Sequence, residues 1–208
     1  MKKALKVFFI FLAAVAAIYV VLVIIRMFHF YNLDKTNEQV AKIHNTKLTM
    51  DDVIGKNLSP DPGAEADKTV AGIDFNKNGI RDDVELAIFK AYPDSAKTRA
   101  VLLQYALALQ MEAIQEVVNK ETVTEVATEQ GRADTCLADT LVPRKSPESA
   151  REDNDMDKIE SFVKFIENRQ INTDQRKKSR KDFYKGKLGS YGESTNKVCD
   201  IDYSLLPN

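Results

Sequence analysis

Nineteen consecutive residues, Val7 to Ile25, carry no charge and are almost wholly apolar. At 1.5 Å rise per residue a helix of that length spans about 28 Å, close to the hydrocarbon thickness of a bilayer. Lys2, Lys3 and Lys6 precede the run and Arg26 closes it. An excess of Lys at the amino end favours that end in the cytoplasm and the remainder across the membrane. Phe28, Phe30 and Tyr31 suit the far interface, where Arg26 can extend its head group outward. The competing expectation is a cleaved signal peptide using the small residues Ala14-Val15-Ala16, but Ile18 to Ile25 stay apolar beyond them. The organisation expected is a tip and membrane-spanning anchor over 1–31, a stalk over 32–57, and one exported domain over 58–208.

The remaining sequence is long enough for one domain with one core. All 31 acidic residues lie after Tyr31, whereas four of the 30 basic ones precede it, so that part carries about −5. That balance and the compartment argue against nucleic acid as a partner. Leu58-Ser59-Pro60-Asp61-Pro62-Gly63 is a turn-rich break that marks the domain boundary. Beyond it the apolar residues recur at helical spacing. Val84, Ala87, Ile88 and Ala91 share one face, with Asp82 and Glu85 spaced as a capping box. Leu103, Leu107, Gln110, Ile114 and Val117 mark a long central helix over roughly 96–119. Thr122 to Leu141 is a weaker helical stretch interrupted at Gly131. Pro143 to Asp153 reads as a loop, Met156 to Ile166 as a helix, and 173–187 as a strongly basic helix. The tail holds Cys199 and the segment Ile201 to Leu206. No period-two alternation is evident, so the fold class is mainly α: an amino-terminal transmembrane helix plus one small helical extracytoplasmic domain.

The chemistry is concentrated in Asp74-Phe75-Asn76-Lys77-Asn78-Gly79-Ile80-Arg81-Asp82-Asp83-Val84-Glu85. It fits the twelve-residue calcium loop of an EF-hand at every ligand position. Asp74, Asn76 and Asn78 supply side-chain oxygens, and Ile80 supplies a carbonyl while packing the loop on the core. Asp82 binds directly or through water, and Glu85 closes the shell with both oxygens. Gly79 stands where the chain must turn sharply. With two neutral ligands, the affinity expected is of the extracellular kind, on the order of 10⁻⁴–10⁻³ M. A metal-free reading is an Asn78-Gly79 turn leading into a capped helix, which leaves Asp74 and Asn76 unexplained. Pro60, Pro62, Gly63 and Gly72 make a poor entering helix, so the unit expected is a loop followed by one helix.

The pattern Pro60-Asp61-Pro62-Gly63, then Gly72-Ile73-Asp74, then Asn78 to Glu85 resembles a group of bacterial exported and membrane-anchored proteins without assigned activity. These carry a single dockerin-like calcium loop after an amino-terminal anchor or signal. Lys185-Gly186 followed by Cys199-Asp200 is similar to their carboxy-terminal segment. The resemblance implies a bacterial envelope protein with a loop–helix calcium site, and it implies no activity.

Cys136 and Cys199 are the two cysteines, both in the exported part. An even count in an oxidising compartment points to one disulfide, closing a loop of about 60 residues and contributing about 4 kcal/mol in the chain-entropy model. Two buried thiols are the alternative. The two histidines, His29 and His44, both precede the expected domain, which leaves it no His base and no ordinary zinc site. A binding or structural role is therefore expected rather than an enzyme. The alternative is an envelope hydrolase using carboxylates alone. The basic cluster Arg176 to Lys187 is expected as a solvated face, or as a contact for anionic lipid, an anionic polymer, another envelope protein or the acidic stretch 148–160.

Overall fold

A computed structural model describes residues 2–146, 148–190, 192, 194, 196–203 and 206. Met1, Pro147 and residues 204 and 205 of the segment 201–206 therefore lie outside the described residues. Among the described residues there are seven α-helices and no strand. They are α1 (Lys2–Asn45), α2 (Met50–Ile54), α3 (Asp82–Ala91), α4 (Ala96–Ile114), α5 (Lys120–Leu141), α6 (Asp153–Gln170) and α7 (Asp174–Tyr184), with a 3₁₀ turn at Gly63–Asp67. The mainly helical class expected from the periodicity is what the chain forms.

The apolar run occupies the first half of α1, where its side chains stand fully exposed, and α1 is long and apolar enough to cross a membrane. The second half departs from the expected stalk. Thr36, Gln39 and Ile43, on one helical face, are buried, and Leu48 and Val53 join the main core. Residues 32–57 are thus part of the folded domain. The attachment is largely polar: Thr36 accepts from Asn119 at 2.7 Å, Gln39 donates to Gln115 at 2.7 Å, and His44 meets Glu125 at 2.8 Å. Because Thr36 meets the start of α5 and His44 meets a residue one to two turns into it, α5 runs parallel to α1 along this seam.

Helix α4 is the axis of the domain. Every residue from Ala100 to Glu112 is buried, because α2, α3, α5, α6 and α7 all pack on it. A helix apolar on every side must be buried on every side. The expected helix to 119 stops at Ile114, which is 44% exposed and does not extend the core stripe, whereas Val117 packs against the core from outside the helix. Its buried polar residues are each matched to a partner, as buried polar groups must be. Gln104 accepts from the Asp200 amide at 2.9 Å and donates to the Val198 carbonyl at 3.0 Å. Gln110 donates to the Ala71 carbonyl at 2.7 Å, and Glu112 accepts from Tyr184 at 2.7 Å. These pairs fix where the irregular segments and α7 dock.

Two local expectations are corrected. Gly131 does not interrupt α5, which is continuous from Lys120 to Leu141. A helical Gly costs about 1 kcal/mol, and the burial of Val123, Val126, Ala133 and Leu137 outweighs it. The expected capping box at Asp82 is absent, since Arg81 occupies the cap position and no side chain caps α3. The Asp82 carboxylate instead accepts from the Phe75 amide, at 3.0 and 3.2 Å from its two oxygens.

Candidate functional site

The loop from Asp74 to Glu85 folds inward on its own polar side chains. Asp74 accepts from the amides of Asn78 (3.2 Å) and Gly79 (2.9 Å). Asn78 Oδ1 accepts from the Ile80 amide at 2.9 Å, and Asn76 Oδ1 from the Asn78 amide at 3.2 Å. The Asp82 amide donates to the Ile73 carbonyl at 2.9 Å and closes the loop base. Such Asx-type bonds are what short polar side chains offer a tight turn. Lys77 (φ 60°) and Gly79 (φ 85°) both adopt the left-handed conformation that lets the chain reverse. Ile80 is fully buried in the core, as expected, and anchors the loop.

Glu85, one turn into α3, points back at the loop. Its two oxygens accept from Asn78 (2.9 Å) and Asn76 (3.2 Å). The structure therefore brings together Asp74, Asn76, Asn78, Asp82 and Glu85, with Ile80 beneath them. It also adds groups from outside the loop. Asn78 Nδ2 lies 3.4 Å from Asp52 Oδ1, and Asn76 donates to the Asn57 carbonyl at 3.1 Å. Asp52 sits in α2, where Thr49 and Asp52 form a reciprocal cap. Its partner lies 26 residues away, so no local pattern announces it.

Asp82 and Glu85 are each 1% exposed and Asp52 9%. Among the described residues none of Asp52, Asp74, Asp82 and Glu85 is paired with a basic side chain. Arg81, the nearest in sequence, turns away: it pairs with Asp83 and donates to the carbonyls of Gln170 (3.1 Å) and Arg169 (3.3 Å). Burial pushes the Glu85 carboxyl up to about 7; hydrogen bonds from Asn78 and Asn76 oppose this, and Asp52 and Asp82 add to it. Burial likewise raises Asp74, against the pull of the Gly79 and Asn78 amides. A site crowded with oxygen donors and lacking a compensating cation matches the preference of a hard divalent ion for carboxylate, amide and carbonyl oxygen. Among the described residues no group of three or more His, Cys, Asp or Glu is arranged to hold a metal by carboxylates, thiolates or imidazoles alone. The polar lining of the loop comes from the two Asn residues and the backbone as much as from the acids.

Cys136 and Cys199 are both thiols here. Each perturbs the other: Cys199 raises Cys136, with burial adding to it, and Cys136 lowers Cys199 to about 7. Tyr203 also hydrogen-bonds the Cys136 sulfur. The tail around Cys199 is held by buried Arg132, which pairs with Glu129 at 2.6 Å and Asp200 at 2.7 Å.

The basic cluster divides into two populations. Arg176 is 3% exposed and ties the approach to the loop onto α7, donating to the carbonyls of Val70 (3.0 Å) and Thr69 (3.0 Å) and pairing with Asp67 at 2.5 Å. Arg180 bridges Glu112 (2.7 Å) and Glu167 (2.9 Å). Both oxygens of Glu112 are thereby engaged, by Arg180 and Tyr184. The cavity beside them, about 20 Å³, is water-sized. This is where acidic residues other than the loop's gather, and the arrangement is that of a packed ion-pair network. No family model, curated relative or solved structure matches the chain.

Proposed function

We propose that the protein is a membrane-anchored envelope protein whose helical domain is stabilised by calcium at the loop 74–85 and serves a binding or structural role. α1 is the anchor, with its amino end in the cytoplasm and the domain periplasmic or extracellular. The observations that carry the metal reading are the burial of Asp52, Asp82 and Glu85 with no basic partner among the described residues, and the two Asn side chains that link Glu85 and Asp52 to the loop. Asp74, Asn76, Asn78, the Ile80 carbonyl, Asp82 and Glu85 would hold the ion. Calcium supplies the positive charge that lets the carboxylates ionise together. The loop joins the 3₁₀ turn and α2 to α3, so occupancy would brace the start of the domain. A single loop with one following helix has no paired unit to open against, which favours a static role over a sensor.

Scanning calorimetry of the full chain tests this. At millimolar calcium and a Kd on the order of 10⁻⁴ M, the linkage stabilisation is about 1.4 kcal/mol. For a domain of this size that raises Tm by about 3–5 °C relative to chelator. The Asp74→Ala, Glu85→Ala double variant loses the calcium-dependent increment. An unchanged Tm in the native chain sinks the metal reading, and a retained increment in the variant assigns the ion to other ligands.

A further inference from the structure

We propose that the end of the domain nearest the anchor, made by the α4–α5 turn and the basic carboxy-terminal end of α7, rests on anionic phospholipid headgroups. This rests on the reading that α1 crosses the bilayer.

Because α1 continues unbroken from its apolar half into the domain, heights above the membrane can be counted along it. Lys35 pairs with Glu116 at 2.9 Å and Thr36 accepts from Asn119, so the α4–α5 turn sits at their level. Thr36 lies ten residues beyond Arg26, about 15 Å along the helix axis. The headgroup layer takes up about 5–7 Å of that distance. Helix α4 descends toward this level while α5 rises from it. Glu112, one turn before the end of α4, holds Arg180 and Tyr184. Thr124, one turn into α5, accepts from the Gly189 amide at 3.0 Å. The stretch from Tyr184 to Gly189 is therefore held within about one or two helical turns of the domain's lower end.

The chemistry of that end differs from the rest of the domain. Lys177 and Lys178 pair with Asp174 and Asp182 on their own helix. Lys181, Lys185 and Lys187 have no carboxylate partner among the described residues. Leu188, next to Lys187 in the chain, is 43% exposed, and Ile114, the last residue of α4, is 44% exposed. Unpaired lysines interleaved with exposed aliphatic side chains are the composition of a headgroup contact, where anionic lipid draws the charges and the boundary accepts the apolar groups. The outer sequence as a whole is acidic, so this is a local patch. In the acidic stretch 148–160, Glu152 pairs with Lys145, Asp155 with Lys158 and Glu160 with Lys164. Helix α7 packs on α4, α4 on α5 and α5 on α1, so α7 stands to the side of α1 by up to about three interhelical spacings of about 8–10 Å each. A tilt of about 20° toward α7 lowers a point about 20 Å to the side by about 7 Å, which leaves the lysines within about one to two screening lengths of 8 Å.

The chain contains no Trp, so Leu188→Trp introduces a single reporter. The full chain is reconstituted into vesicles of phosphatidylcholine, and of equal parts phosphatidylcholine and phosphatidylglycerol. At low salt, acrylamide quenching of the indole is expected to be at least twofold weaker with phosphatidylglycerol. The difference is expected to vanish at high salt and on adding K181Q, K185Q and K187Q. Ile114→Trp gives the same contrast if the first reporter perturbs folding. Equal quenching at both positions, in chains that float with both kinds of vesicle, overturns the contact and leaves the anchor standing. A chain that floats with neither overturns both. Protection by soluble dextran sulfate in neutral vesicles, without protection by phosphatidylglycerol, overturns the lipid contact in favour of an anionic polymer.

Discussion

Gly79→Ala is the sharpest probe of how the loop is seated. Gly79 has φ 85°, and a Cβ there would lie 2.7 Å from Leu107 Cδ1 and 3.6 Å from Thr46 Cγ2. Carbon atoms pack at about 3.5–4.0 Å, so the new methyl overlaps Leu107 by close to an ångström. Leu107 is 2% exposed on the central helix and has little room to yield. The left-handed conformation costs an L-residue about 1–2 kcal/mol, and the displaced leucine adds about 1 kcal/mol. The total, about 2–3 kcal/mol, lowers Tm by about 5–10 °C for a domain of this size. Circular dichroism melts of the full chain in chelator read the packing term without metal. Leu107→Ala alone costs about 2–5 kcal/mol through the cavity it leaves. In the Gly79→Ala background it should cost about 1 kcal/mol less, because the truncation removes the clash. A Tm change under about 2 °C for Gly79→Ala, or additivity within about 0.5 kcal/mol, would refute the docking of the loop turn on α4.

The adjacent thiols predict a Cys136–Cys199 disulfide in protein purified from an oxidising compartment, seen as a mass two hydrogens lower. Reduction should lower Tm by the equivalent of about 4 kcal/mol, less any strain, and two free thiols in the native protein would contradict it. Asp134 gives a pH signature. Burial first and Glu167 second raise its carboxyl from 3.8 to about 6, against the pull of Arg180. Ionisation is then harder in the folded chain than in the unfolded one, so stability falls as pH rises from about 4 to about 6 and levels above that. Screening at this half-buried site leaves about 1 kcal/mol. Melts across that window should show a wild-type decline that Asp134→Asn reduces, and parallel declines would sink the assignment.

The helices were legible wherever an apolar period met the core. Val84 and Ile88 on α3, Leu103 and Leu107 on α4, and Ile166 on α6 are all fully or nearly fully buried. The tight turn of the loop was legible too, because alternate Asp and Asn about one Gly leave a local pattern. Hidden from the sequence were long-range polar pairings. Arg81 and Arg176 look like surface charges, yet each is buried and spends its donors on carbonyls of distant segments. Hydrophobic periodicity carries no trace of such bonds, since an inward Arg and an outward Arg have the same composition. Asp52 belongs to the same class: its short helix is announced by the Thr49–Asp52 cap, and its place beside the loop is not.

The second half of α1 shows which signal should have outweighed composition. Its polar face reads as a stalk because Thr36 and Gln39 attach it by hydrogen bonds and only Ile43 is a buried apolar residue. But the first Gly in the chain is Gly55 and the first Pro is Pro60, so nothing before α2 would interrupt a helix begun in the apolar run. A helix of 44 residues reaches about 66 Å. Its outer turns are clamped to the α4–α5 turn at Thr36 and Gln39 and to α5 at His44, with Ile43 in the core, which leaves about nine residues between Arg26 and the first of these, all helical. A flexible stalk would let the domain sample every orientation above the membrane. On the reading that α1 crosses the bilayer, a continuous helix makes span and domain one lever, so the tilt of the first sets the face that the second presents to the bilayer.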